Sequence, residues 1–296
     1  MVSGFSIEPF SDLYPFKSRF LELNPHSLHY LDEGQGETLL MLHGNPTWSF
    51  YYRNLIKGLR NQFRCVVPDH MGCGLSDKPQ EYNYTLSQHI DNLAALVDHL
   101  NLDNITLVMH DWGGAIGMGL AVRHPEKIKR LVFFNTAAFI ADRIPFSINL
   151  CRNSIIGPLA ILRLNLFARL GVSWASKQPG RMKGRVRQGY LAPYNSPENR
   201  IANLRFVQDI PMTPDVPSYP VVEQIESQLG HFRDRPVMII WGMRDFCFTD
   251  YFLERWKQYF PDAEVHELAQ AGHYVVEDAD EKIIPWMVEF LKNHPI

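Results

Sequence analysis

The sequence predicts an α/β domain built on a parallel sheet and interrupted by one helical insertion. Three observations carry this. Short runs of β-branched, aromatic and aliphatic residues alternate with longer amphipathic stretches up to about Phe134. The alternation stops between about Phe139 and Gly230, where proline, glycine and arginine punctuate helical pieces. It resumes from Pro236 to the end of the chain. Alternation of this kind marks strands that lie parallel and are covered by helices on both faces.

Taken in order, Ser27–Asp32 and Thr38–Leu42 read as strands, and the Glu33-Gly34-Gln35-Gly36 cluster between them predicts a hairpin. Phe63–Val67 is a strand by composition. The run from Thr85 to Leu100 opens on a capping threonine and places Leu86, Ile90, Leu93, Leu96, Val97 and Leu100 at helical spacing. Ile105–Met109 is a strand, Ala115–Arg123 a helix and Arg130–Phe134 a strand. Within the insertion, Leu159–Leu170 and Asn199–Gln208 read as helices. Pro236–Trp241 and Glu264–Leu268 then read as strands, and Asp250–Phe260 and Glu281–Leu291 as helices. The boundaries follow: residues 1–136 and 231–296 form the main domain, and 137–230 form a helical cap inserted after the sixth strand.

The 296 residues are 46% hydrophobic and 21% charged, with a net charge of −3. This excludes a disordered chain and gives no electrostatic reason to expect a nucleic-acid partner. No apolar run is long enough to cross a bilayer. The N-terminus lacks a basic start followed by an apolar core, so the expected location is cytoplasmic. Four scattered cysteines (Cys65, Cys73, Cys151, Cys247) lack metal-ligand spacing and read as buried thiols. The insertion has an uneven charge pattern. From Arg143 to Pro197 there are nine basic residues and no Asp or Glu. Such a segment is either a solvated face or an attractor of anionic substrates, lipid surfaces or acidic partners, including a sister subunit.

The chemistry centres on Ile105–Ala115, which runs strand, abrupt turn, helix. A turn of this form exposes one side chain above an α/β sheet at a helix N-terminus. That side chain is usually Ser. Here it is Asp111, and no G-x-S-x-G occurs. A carboxylate is ionised at neutral pH and is a nucleophile without a base to activate it. An aspartate before a helix is also an ordinary cap, so its neighbours must decide. Gly113 and Gly114 permit a sharp turn, whereas Met109 stands where the strict motif has Gly and predicts looser packing beneath it. Leu42-His43-Gly44-Asn45-Pro46 follows a strand and supplies a second loop, so that the backbone N–H groups of Asn45 and Trp112 would form an oxyanion hole. Their side chains add an amide and an indole donor. His273 after the last strand and Asp245 after the preceding one complete the order nucleophile, acid, histidine. His110 reads as a buried structural histidine and Cys247 as inert. Trp48 and Phe246 fit either the pocket or the core.

These segments resemble a family. HGNPTW, DHMGCGLSDKP, HDWGG, WGMRDF and AGHY stand in the order found in haloalkane dehalogenases of the α/β-hydrolase fold, over about His29 to Phe290. The resemblance implies a mostly parallel eight-stranded sheet flanked by helices, with a helical cap. Asn45 and Trp112 as the halide pair, with the acid at Asp245, resemble the third subfamily. That branch is also similar to the β-lactone decarboxylases of bacterial long-chain olefin synthesis, and YLAPYNSPENRIANLRFVQDIP and RDFCFTDYFLERW look especially like it.

The implied reaction is carbon–halogen hydrolysis. Asp111 displaces halide, Asn45 and Trp112 hold the leaving group, and His273, oriented by Asp245, activates water against the aspartyl ester. No metal or organic cofactor is implied. The partners are a small apolar halogenated or β-lactone substrate and a halide ion. β-Lactone decarboxylation is the alternative. Epoxide hydrolysis is a further one, because HDWGG is shared with epoxide hydrolases. Those enzymes usually have an aromatic residue in place of Asn45 and need cap tyrosines, for which Tyr190, Tyr194 and Tyr219 are the candidates.

Overall fold

A computed structural model describes residues 5–152, 155–178 and 180–296. Its strands are β1 (Arg19–Glu22), β2 (Ser27–Glu33), β3 (Thr38–Leu42), β4 (Arg64–Pro68), β5 (Ile105–Asp111), β6 (Ile128–Thr136), β7 (Val237–Gly242) and β8 (Glu264–Leu268). They form one eight-stranded sheet in the order β1-β2-β4-β3-β5-β6-β7-β8. The β1/β2 and β2/β4 pairs are antiparallel and the other pairs are parallel. The central strands β3 and β5 are buried along their whole length, as a sheet covered on both faces requires.

The predicted hairpin between β2 and β3 does not form. β4 lies between them, paired with β2 on one side and β3 on the other. The Gly34–Gly36 turn does reverse the chain. β3, however, gains parallel partners on both its edges, β4 and β5, and a two-stranded hairpin would have forfeited one of them.

Helices α1 (Arg53–Leu59), α2 (Leu86–His99) and α3 (Trp112–Arg123) connect the strands up to β6. Thr85 caps α2 by accepting from the Gln88 N–H, as its position predicts. Between β6 and β7 the described residues form helices and no strands: α4 (Phe146–Arg152), a π-helical turn (Pro158–Arg163), α5 (Leu166–Trp174), α6 (Gly184–Leu191), α7 (Ile201–Gln208) and α8 (Ser218–Gln228). The expected helix over 159–170 is broken at Asn165, whose φ of 52° is left-handed and stops helical propagation. Asn165 donates to the Tyr194 carbonyl at 3.2 Å, which fixes the break.

Helices α9 (Asp250–Tyr259) and α10 (Val275–Asn293) complete the fold. α10 begins before the predicted Glu281, because its first turn carries buried Glu277 and Asp278 and breaks the apolar periodicity. Both carboxylates are used. Glu277 holds Arg53 through two 2.7 Å bonds and accepts from Tyr190 at 2.9 Å. Asp278 accepts the N–H groups of Gly272, Lys177 and Gln178 at 2.7, 2.9 and 3.2 Å, and the Ser176 hydroxyl. One carboxylate thus joins the helical segment at Ser176–Gln178 to the loop that carries His273.

Candidate active site

Asp111 ends β5 and precedes α3 with φ 50° and ψ −125°. Such a conformation costs a non-glycine residue about 1–3 kcal/mol and persists only when neighbours enforce it. The enforcement is visible. The Thr136 hydroxyl donates to the Asp111 carbonyl at 2.5 Å. A side chain at position 113 would lie 2.1 Å from the Leu42 carbonyl, so only glycine fits under the turn.

The expectation of loose packing beneath the turn is not met. Met109 is fully buried, and its sulfur would stand 2.6 Å from any Cβ at Gly117. The missing side chain of Gly117 on α3 makes the room that the motif's usual glycine would have made at 109.

The Asp111 carboxylate is almost wholly buried, and its Oδ1 accepts the Asn45 backbone N–H at 2.6 Å. Burial raises its pKa above the ordinary value, against the opposing pull of His273 and of the Trp112 and Asn45 backbone N–H groups. Its Oδ2 lies 3.9 Å from His273 Nε2. His273 Nδ1 is 2.9 Å from Asp245 Oδ2, and Asp245 Oδ1 accepts the Cys247 N–H at 2.7 Å. Burial presses the imidazole pKa down, but the Asp245 carboxylate outweighs it and the net shift is upward. Asn135, at the other place where an acid would fit, instead pins the β7 end by bonds to both backbone groups of Gly242.

Asp111, His273, Asp245, Asn45 and Trp112 therefore come together. The first two, with Asn45 and Trp112, line a cavity of about 430 Å³ whose other walls are mostly aliphatic and aromatic. Asn45 differs from expectation in one respect. Its amide donates to the Asn203 carbonyl on α7 at 3.1 Å, which leaves one amide hydrogen uncommitted. The Trp112 indole N–H has no hydrogen-bond partner among the described residues, and its ring packs against Phe206.

The reading of the sequence missed Tyr274. Its ring is buried and stacked on Tyr190, it lines the cavity, and its hydroxyl has no partner among the described residues. Burial, with Asp111 and Glu277 nearby, raises its pKa and keeps it protonated, so it is a ready donor. Only its place next to His273 in sequence gave a signal.

The cap tyrosines are elsewhere. Tyr190 donates to Glu277, Tyr194 donates to the Thr47 carbonyl at 3.0 Å, and neither they nor Tyr219 line the cavity. His110 is buried and neutral and donates from Nε2 to the His273 carbonyl at 2.8 Å, a supporting role. Trp48 is core, with its indole on the Gly189 carbonyl, whereas Phe246 lines the cavity. The Cys247 thiol also lines it, and burial beside two carboxylates pushes its pKa up and leaves it unreactive. No group of three or more His, Cys, Asp or Glu placed to hold a metal occurs among the described residues, and no helix among them is long and apolar enough to cross a membrane.

Comparison with known proteins agrees with this fold. The model of the alpha/beta hydrolase fold family matches residues 37–280. A cis-3-alkyl-4-alkyloxetan-2-one decarboxylase of Shewanella oneidensis is 48% identical, over 94% of this chain and 89% of its own. A haloalkane dehalogenase 2 of Mycobacterium tuberculosis is 34% identical, over 95% and 97%. The crystal structure of a mutant of the haloalkane dehalogenase DatA from Agrobacterium tumefaciens superposes with a TM-score of 0.83 at 25% identity, covering 95% of this chain and 99% of that one.

Proposed function

We propose, from the premise that this chain belongs to the α/β-hydrolase fold family, that Asp111 is the nucleophile of an enzyme that opens and decarboxylates alkyl-bearing β-lactones. The observation that carries the nucleophile is its setting. A buried carboxylate, held at Oδ1 by a backbone N–H, lines an apolar cavity beside the Trp112 indole and the Tyr274 hydroxyl, neither of which has a hydrogen-bond partner among the described residues. The preference for a β-lactone rests on the stronger likeness to the decarboxylase, and it reverses the order that the motifs alone favoured.

In this reading, Asp111 Oδ2 attacks the saturated ring carbon that bears the ring oxygen, not the carbonyl carbon. The carbon–oxygen bond breaks, and its electron pair converts the lactone into a carboxylate. The free amide hydrogen of Asn45, the Trp112 indole and the Tyr274 hydroxyl receive that growing charge. The bond to the carboxylate carbon then supplies the electrons of the new double bond. The ester oxygen leaves as the Asp111 carboxylate, with carbon dioxide and an alkene as products. Attack from the face opposite the ring oxygen, followed by anti loss, keeps the two alkyl groups cis. No water or net proton is consumed.

Halide displacement is the second reading, and one observation favours it. The Asp245–His273–Asp111 series is complete, at 2.9 and 3.9 Å, although the decarboxylation needs no base. A haloalkane would alkylate Asp111 and release halide. His273 would deprotonate water for attack on the ester carbonyl, and the backbone N–H of Asn45 would hold the oxyanion at Oδ1. The three tyrosines considered for epoxide opening lie off the cavity and do not serve it.

The test is product analysis with a cis β-lactone and a bromoalkane of equal chain length. Alkene and carbon dioxide from the lactone at the higher kcat/KM support the first reading. Faster halide release selects the second. An Asp111→Ala variant that retains either activity overturns both.

A further inference from the structure

Twelve large hydrophobic side chains are exposed among the described residues, and nine of them lie between Phe146 and Trp174. Monomeric proteins seldom gather apolar surface in this way without a partner for it. The helix α5 shows the arrangement. Leu166, Leu170 and Trp174 recur at helical spacing and are 39%, 38% and 56% exposed. The same three residues line the cavity. Side chains that are at once exposed and lining form the mouth, so the cavity opens onto the apolar face.

The segment that forms this mouth is basic, with a few carboxylates of neighbouring segments beside it: Asp142 pairs with Arg143, and Glu198 and Asp215 lie near Arg163 and Arg152. The segment from Arg143 to Pro197 contains no acid. Some of its cations are spent on the rest of the molecule: Arg181 pairs with Asp280 and Glu281, and Arg185 with Asp12. Arg163 and Arg169 are exposed, flank the exposed Leu164 and Leu166, and make no ion pair among the described residues.

We propose that this face docks on an anionic phospholipid bilayer, with the cavity mouth turned towards the acyl chains. Apolar side chains interleaved with unpaired cations fit a lipid interface, where the former enter the acyl boundary and the latter meet the headgroups. A second copy of the chain fits poorly, since a two-fold contact would set the same cations against each other. The entry of an apolar substrate from the bilayer rests on the proposed function. The docking itself does not.

The test is co-sedimentation of the intact protein with vesicles of phosphatidylcholine, alone or mixed with phosphatidylglycerol, at low and high salt. The expected result is sedimentation with the mixed vesicles that weakens as salt rises. Arg163→Gln with Arg169→Gln should lower partitioning into mixed vesicles by about tenfold or more. Leu159→Ser with Leu164→Ser should lower it for both vesicle types. None of these four residues lines the cavity, so both variants should keep wild-type turnover of a short, water-soluble substrate. Failure of the wild type to sediment with mixed vesicles at low salt overturns the proposal. So does binding that neither pair alters, or a dimer in sedimentation velocity that the leucine pair dissolves. A protein that sediments as expected but turns over neither substrate class overturns the chemistry and leaves the docking supported.

Discussion

His273 Nε2 stands 3.9 Å from Asp111 Oδ2, beyond the length of a direct hydrogen bond. The imidazole and the carboxylate therefore do not share a proton in the resting site. The separation suits an imidazole that works on a third atom, a water oxygen, after Asp111 has become an ester. The two proposed reactions differ in whether they need that step.

Replacing Asp111 by Asn or Ala should abolish both activities, by about 10⁴-fold or more, because no other group at the turn can form the first bond. Steady-state rates on both substrates check this. Unchanged near-ultraviolet circular dichroism would show that the loss is chemical.

His273→Phe should separate the reactions. With a bromoalkane it should release one equivalent of halide per protein and stop, with the alkyl group retained on Asp111 and visible in the intact mass. With a β-lactone, alkene release should persist within about tenfold, since Asp111 is regenerated without water. Loss of alkene formation together with halide turnover would sink the base-free decarboxylation.

The pH dependence follows from the shifted groups. His273 is a base only when neutral, and Asp245 raises its pKa, so halide turnover should rise with pH through an apparent pKa above the ordinary 6.5. Asp245→Asn removes that carboxylate and should move the limb to lower pH while reducing the rate. Alkene release should follow only the ionisation of Asp111, raised from 3.8 by burial, and should persist at acid pH where halide turnover has failed. A kcat/KM profile for each substrate tests this.

Tyr274→Phe should slow β-lactone turnover by about tenfold or more, because a donor beside the forming carboxylate is lost while the ring remains to pack. Halide release should change much less. An equal loss for both substrates would make the hydroxyl a general structural feature and not a lactone donor.

Asp69 is buried and accepts from the Ser49 and Leu75 N–H groups at 2.7 and 2.8 Å, with His29 Nδ1 at 2.8 Å. Burial raises its pKa, but His29 and the other donors prevail and lower it from 3.8 to about 2. Its contribution to stability is thus complete above pH ~4 and is lost as pH falls through about 2. Asp69→Asn should cost about 2–4 kcal/mol near neutrality, because it leaves buried donors poorly matched. Urea unfolding checks the value.

What the sequence revealed was local. The Asp111 turn and the Thr85 cap are written in contiguous residues, and Asp245 and His273 each stand in a short segment just after a strand. What it hid depends on partners far along the chain. The β2–β3 hairpin failed because β4 enters between two neighbours in sequence. The short strand β1 and helix α1 carry too few periodic positions to be read. The accommodation of Met109 lies at Gly117, one helix face away. Asn45 spends an amide hydrogen on a carbonyl 158 positions later, which no spacing rule reports.

Asp278 grips both the Ser176–Gln178 strap and the Gly272 N–H, one residue before the His273 imidazole. The placement of the strap and that of the imidazole are consequently not separable in this molecule. Any redesign that tilts the lid to admit a bulkier compound also pulls on the histidine. Changes confined to the aliphatic wall, clear of that strap, are the ones that can reshape the cavity without moving the imidazole.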